Sequence, residues 1–348
     1  MAILDKIFNK KQKEQEDEKS ITLKDMMPGD IMVFDTDGSL IDDLITEFTG
    51  SKATHGALFV QNEKKAVIVD SGTTGVDLHL VSSNPSDNQS KEEPRIVHVR
   101  RHAKLGGIDE KYDNAIAPVI ETAYDYVRQD LPYPYSDFVL LAMILVFKNV
   151  TDKNINQPVL IKLLRIIAAE LKTLIDQKFH EGKHTMVCSS FVYQCFLDAS
   201  KSSHNRKLKL KIKNGDLQAE KSKRSVTLFD LYVEHAAEYN YHTYYFSKAN
   251  TEPVTETIEE LLENLIDKDN ANHIGLVKSN ALSNAIEEFL RALMDVLGFS
   301  IDSVKDLIET AQKQQAMFVT PNDLYCHTTN TVSVGVIKLY RDGSEYKP

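Results

Sequence analysis

Residues 187–200 read VCSSFVYQCFLDAS. Apolar residues recur at helical spacing here, and Cys188, Phe191, Val192 and Cys195 fall on one face of the predicted helix. The preceding EGKHT (181–185) breaks any helical pattern, so Cys188 stands at the predicted N-terminus. Unpaired backbone N–H groups and the helix dipole stabilise a thiolate at such a place. The same groups can stabilise a developing oxyanion. The competing reading is a small buried hydrophobe, the usual fate of a free cysteine. Cys195, two turns deeper, reads as core, and Cys326 lies in NDLYCHTTN, where the sequence suggests no role.

A cysteine nucleophile needs a base, and 11 histidines offer many candidates. His55 opens the apolar run HGALFV after the polar GSKAT, where a ring can face a cleft while its neighbours hold it. The alternative is an exposed strand-end histidine. A third group should orient the base, and Asp70 ends the next apolar run, AVIVD. The two runs flank QNEKK, a loop of hairpin length. An even loop puts His55 and Asp70 on one face. They are directly opposite if the turn is centred between Asn62 and Glu63, and diagonal after a shift of two residues. An odd loop separates them. Asp70 reads equally well as a turn residue.

The order PGDIMVF (28–34), THGALFV (54–60), VIVDSGTTGV (67–76) and VCSSFVYQCF (187–196) resembles the circularly permuted NlpC/p60 hydrolases, the YiiX/YebB-like group in particular. In that group the histidine strand precedes the cysteine helix. The resemblance implies a papain-like α+β fold, an antiparallel sheet with the cysteine helix packed on it. It further implies Cys188 as nucleophile, His55 as base and Asp70 as the orienting acid. PYPYSDF (132–138) resembles a cleft-lining segment, pointing to Tyr133, Tyr135 and Asp137, and FVTPNDL (318–324) resembles a late segment of the group. These matches span about half the chain.

The implied activity is cleavage of an amide, in a peptide or a cell-wall peptide, through a thioacyl intermediate. Alternatives are an acyltransferase or lipid-directed enzyme of the same fold, and a non-catalytic binding module. HEGKH (180–184) also fits the zinc-peptidase pattern H-E-x-x-H. Gly182 weakens the helix that chemistry requires, and Lys183 sets a positive charge near the metal. The segment therefore reads as a loop before the cysteine helix, with His184 lining the cleft, and no metal or cofactor is expected.

The chain has 348 residues, a formal net charge of -10 and 26% charged residues, the composition of a globular protein rather than a general nucleic-acid binder. Its basic stretch, NRKLKLKIKNGD (205–216), reads as an amphipathic strand with a solvated lysine face. Three cysteines make no disulfide framework, which suits a reducing compartment. The N-terminal MAILDKIFNKKQKEQEDEKS lacks the apolar core of a secretory signal. The expected location is cytoplasmic, or outside the cell by a route needing no signal peptide. FVLLAMILVF (138–147) is too short to span a bilayer and reads as a buried helix.

The expected organisation is a charged leader (1–20), a catalytic domain (21–250), a helical insertion or cap (251–316) and a returning C-terminal segment (317–348). The substrate is a peptide or acyl compound, and the insertion is a surface for a protein partner.

Overall fold

The computed structural model describes residues 18–62, 65–72, 75–81, 94–103, 110–129, 136–148, 154–178, 187–213, 226–241, 256–266, 276–314, 318–340 and 345–346. The fold is α+β. Six strands, β1 (Ile31–Asp35), β2 (Ala53–Asn62), β3 (Lys65–Gly72), β4 (Gly75–Val81), β5 (Arg95–His102) and β6 (Thr331–Leu339), form one antiparallel sheet in the order β4-β3-β2-β1-β5-β6. The helices are α1 (Leu40–Thr49), α2 (Glu110–Arg128), α3 (Ser136–Phe147), α4 (Gln157–Lys178), α5 (Cys188–Ser202), α6 (Leu228–Glu238), α7 (Ile258–Glu263), α8 (Asn280–Val296) and α9 (Val304–Gln314).

Alternation along the strands sends side chains to two different cores. On one face Val33, Leu58, Val60, Val67 and Val69 pack against Phe191, Val192, Cys195 and Phe196 of α5 and against Ile116 and Val119 of α2. The apolar stripe of α5 therefore turns inward, and burying each large side chain contributes about 1.5–3 kcal/mol. On the other face Met32, Phe34, Phe59, Ile68, Val97 and Ile337 are covered by Ile21, Leu23 and Met26.

The remaining helices form a separate layer around α3. Its residues Val139–Phe147 are each no more than 2% exposed, as expected for a helix apolar all round. α1, α4 and α6 pack on it, and α8 lies along α4 and α6. Of the helices within 251–316, α8 rests on α4 and α6 and α7 on α4, both outside that span, while α9 packs on α8.

Some elements depart from the sequence reading. Within the β-rich segment α1 interrupts the strands; Ser39 caps it by accepting from the Asp42 N–H, and Gly50 ends it at φ 65°. Residues 205–213 make only an isolated bridge, Ile212 to Thr328, and no strand. The expected alternation survives, with Leu208 and Leu210 buried and the lysines outward. The backbone bonds go instead to the 327–330 loop: Lys211 N–H to Asn330, Thr329 N–H to Lys211 O, and Lys213 N–H to His327 O. Lys19–Ile21, overlapping the expected leader, join the edge of β6 through Val336. Gly335, at φ 145°, permits this; a Cβ there would lie 2.1 Å from Lys19 O. Among the described residues no helix is long and apolar enough to cross a membrane.

Candidate active site

β2 and β3 pair with Ala57 opposite Asp70, and Asn62 opposite Lys65. The hairpin loop is thus two residues, and His55 and Asp70 are diagonal neighbours on one face. His55 Nε2 lies 2.7 Å from Asp70 Oδ2, with side chains 17% and 13% exposed. Burial would raise the Asp70 carboxyl, but bonds from His55 and His79 outweigh it and hold the group well below the usual carboxylate range. With Nε2 occupied by the carboxylate, Nδ1 is the ring atom left for the other side.

Cys188 occupies that other side. It is the first residue of α5, after Val187 in extended conformation, and it is fully buried. The approach of α5 depends on Gly56, the residue after His55. A Cβ on Gly56 would lie 3.1 Å from Leu324 Cδ1 and 3.5 Å from Ser189 Cα. Ser189 Oγ donates to Val319 O at 2.6 Å and fixes the first turn. That turn supplies the N–H groups of Cys188, Ser189 and Ser190, which have no partner within the helix, whereas Phe191 N–H already bonds Val187 O. Burial pulls His55 down, but its contacts with Cys188 and Asp70 prevail and its pKa stands well above the usual imidazole value.

His79, which the sequence reading passed over, also reaches this centre. β3 and β4 pair Asp70 with Asp77 and Ile68 with His79, so His79 is diagonal to Asp70 across the next hairpin. Its Nε2 lies 3.0 Å from Asp70 Oδ1, and its side chain is 48% exposed. The bond to Asp70 raises its pKa, against burial. The signal was available: GVDLHLV has strand alternation, and the register arithmetic used for His55 and Asp70 applies equally to the TT-linked hairpin.

Asp137, in the first turn of α3, also arrives at the centre. One donor atom from each of His55, Asp137 and Cys188 falls within 4.8 Å of the others. Among the described residues, these are the ones grouped so that they could hold a metal ion. An open groove of about 1490 Å³ runs past His55, Asp70, His79 and Asp137, with Phe34 and Arg95 among its walls. Tyr133, Tyr135 and His184, and the whole HEGKH segment, lie outside the described residues. Cys195 is buried against the sheet, and that burial pushes its thiol pKa well up. Cys326 is exposed.

The arrangement is that of a thiol at a helix start, an imidazole within reach of it, and a carboxylate fixing the imidazole from behind. Such a set can share one proton between sulfur and nitrogen and present N–H donors beside the sulfur. Compared with known proteins, the sequence matches no family model and no curated protein.

Proposed function

We propose that this protein is a cysteine hydrolase of the permuted papain-like type, cleaving an amide bond through a thioacyl intermediate. The observation that carries the reading is His55, bonded through Nε2 to Asp70 and lying beside Cys188.

In this mechanism the proton of Cys188 passes to His55 Nδ1 and the thiolate attacks the carbonyl carbon. The oxyanion is received by the N–H of Cys188 and its neighbours in the first turn of α5. His55 then protonates the leaving amine as the tetrahedral intermediate collapses to a thioester. A water molecule gives its proton to His55 and attacks the thioester, releasing the acid and returning the thiol. Asp70 keeps the imidazole in the tautomer that serves each step, and His79 sets its Nε2 3.0 Å from the second oxygen of Asp70. Replacing water by an amine or alcohol turns the same sequence into acyl transfer.

Because Cys188 has no exposed surface, acylation requires local opening, and small acyl donors are the suitable probes. Incubation with p-nitrophenyl acetate followed by peptide mapping tests the reading. The expected result is an acetyl group on Cys188, released by water or added hydroxylamine and absent in His55→Ala. Acetylation spread over Cys326 and surface lysines, unchanged by that substitution, would contradict it.

A further inference from the structure

The thiol chemistry uses Cys188, His55 and Asp70 and leaves Asp137 without a task. A carboxylate beside a thiolate opposes its formation, because like charges at short range disfavour both ionised forms. The site therefore gathers Cys188, Asp70 and Asp137 around the central imidazole of His55, one acidic group more than the thioacyl mechanism employs. A divalent cation removes the conflict.

The donors are also of the right kinds. Thiolate, imidazole and carboxylate are the ligand types that zinc accepts, at bond lengths of about 2.0–2.3 Å. No pair of the three donor atoms is more than 4.8 Å apart. Tetrahedral bonding at those lengths needs separations of about 3.3–3.7 Å, within reach of small side-chain rotations. The imidazole is already oriented as zinc-binding histidines are, with its far nitrogen on a carboxylate at 2.7 Å. Each donor stands on a regular element: His55 on β2, Asp137 in the first turn of α3, Cys188 at the head of α5. α3 is buried along its length, so Asp137 is carried by a rigid support. Mg²⁺ and Ca²⁺ prefer all-oxygen shells and do not suit this set.

We infer that Cys188, His55 and Asp137 form a reversible site for a zinc-class divalent cation, and that filling it silences the thiol. The silencing rests on the proposed hydrolase reading; the metal site does not. On binding, Cys188 Sγ, His55 Nδ1 and an Asp137 oxygen each donate a lone pair. The one proton that sulfur and nitrogen share leaves to solvent. The sulfur lone pair is then engaged and unavailable to a carbonyl carbon, while the fourth position of the metal stays open to water.

The test uses the full chain, stripped with chelator and titrated with Co²⁺ and Zn²⁺. One equivalent of Co²⁺ should give a near-ultraviolet thiolate-to-cobalt band that Cys188→Ser abolishes. Asp137→Asn should weaken binding by at least about tenfold, with a far-ultraviolet circular dichroism spectrum unchanged from wild type. Zn²⁺ should protect Cys188 from iodoacetamide without altering the rate at Cys326, and Mg²⁺ should not protect. Absence of the thiolate band in the wild-type protein, or its persistence in Cys188→Ser, would overturn the site whatever Asp137→Asn does. If the metal-free protein shows selective Cys188 reactivity at low pH but zinc gives no protection, the metal proposal fails and the thiol reading stands. If zinc binds but metal-free Cys188 is inert, the reverse holds.

Discussion

Two histidines flank β1 at successive residues, and their surroundings differ in a way that separates chemistry from architecture. His55 on β2 pairs with Phe34, and His98 on β5 pairs with Val33, so the rings lie on opposite faces of the sheet. His98 is held on both sides by carboxylates, Glu18 Oε2 at 2.6 Å from Nδ1 and Asp35 Oδ1 at 3.2 Å from Nε2. Burial acts downward on it, but the two acids lift its pKa to about 9. A ring between two anions keeps its proton and works as a cationic clasp, tying the chain near Glu18 to the sheet. His55 has a carboxylate on one side and a thiol on the other. Only that asymmetric arrangement leaves the proton somewhere useful to go.

The comparison can be broken most severely at His55. His55→Ala should reduce acyl transfer from p-nitrophenyl acetate to Cys188 by about 10²–10⁴-fold, the usual worth of a positioned general base. His98→Gln should leave that rate within a few-fold but destabilise the fold by about 3 kcal/mol, since Glu18 and Asp35 lose the cation between them. Urea unfolding of the two variants should show this crossover of effects; equal losses of rate in both would erase the distinction.

The clasp also has a pH signature. The pKa of His98 is raised from 6.5 to about 9 on folding. Its stabilisation is therefore complete below about pH 6.5 and lost as pH rises through about 9. The Glu18 carboxyl is shifted the other way, lowered by its bonds to His98 and Ser333 against burial, so its share is present above its ordinary value and lost in acid. The urea midpoint of wild type minus that of His98→Gln should narrow steadily between pH 7 and pH 10. A constant difference would mean that His98 is held neutral.

The smallest expected effect comes from Gly56→Ala. Its new methyl would meet Leu324 and the first turn of α5. A stability cost of about 1–2 kcal/mol is expected from overpacking. Low-pH reactivity at Cys188 should fall, while the His98 pH signature stays unchanged. An unaltered Cys188 would show that the turn does not depend on the close approach.

Much of this arrangement was legible in the chain. The amphipathic face of α5, the buried α3 and the hairpin joining His55 to Asp70 all follow from spacing, because period and register are local properties. The diagonal relation was one of the even-loop outcomes of that arithmetic. SLIDDLITEFTG carries the cap, first-turn acids and terminal glycine of α1, but the helix is only ten residues long and sits between two apolar strand runs. His79 reaches Asp70 only through the register of the next strand pair, with Asp70 opposite Asp77 and Ile68 opposite His79. The lysine-rich 205–213 segment alternates like a strand, but its partners are a loop, and a single-segment pattern carries no information on what lies across from it. Asp137 was expected at the cleft only from the resemblance of PYPYSDF to a cleft-lining segment; its convergence with Cys188 and His55 is a long-range matter of how α3 packs, which no spacing reveals.

The central claim is that Cys188 and His55 share a proton, and the most direct measurement is the rate of iodoacetamide alkylation against pH on the native, chelator-treated protein, with each cysteine followed by peptide mapping. The account predicts that Cys188 keeps reacting well below the ordinary thiol pKa of about 8.5, and that His55→Ala moves Cys188 onto an ordinary thiol curve. A Cys188 profile that follows the ordinary thiol curve in the wild-type protein, or one indifferent to the loss of His55, would contradict it.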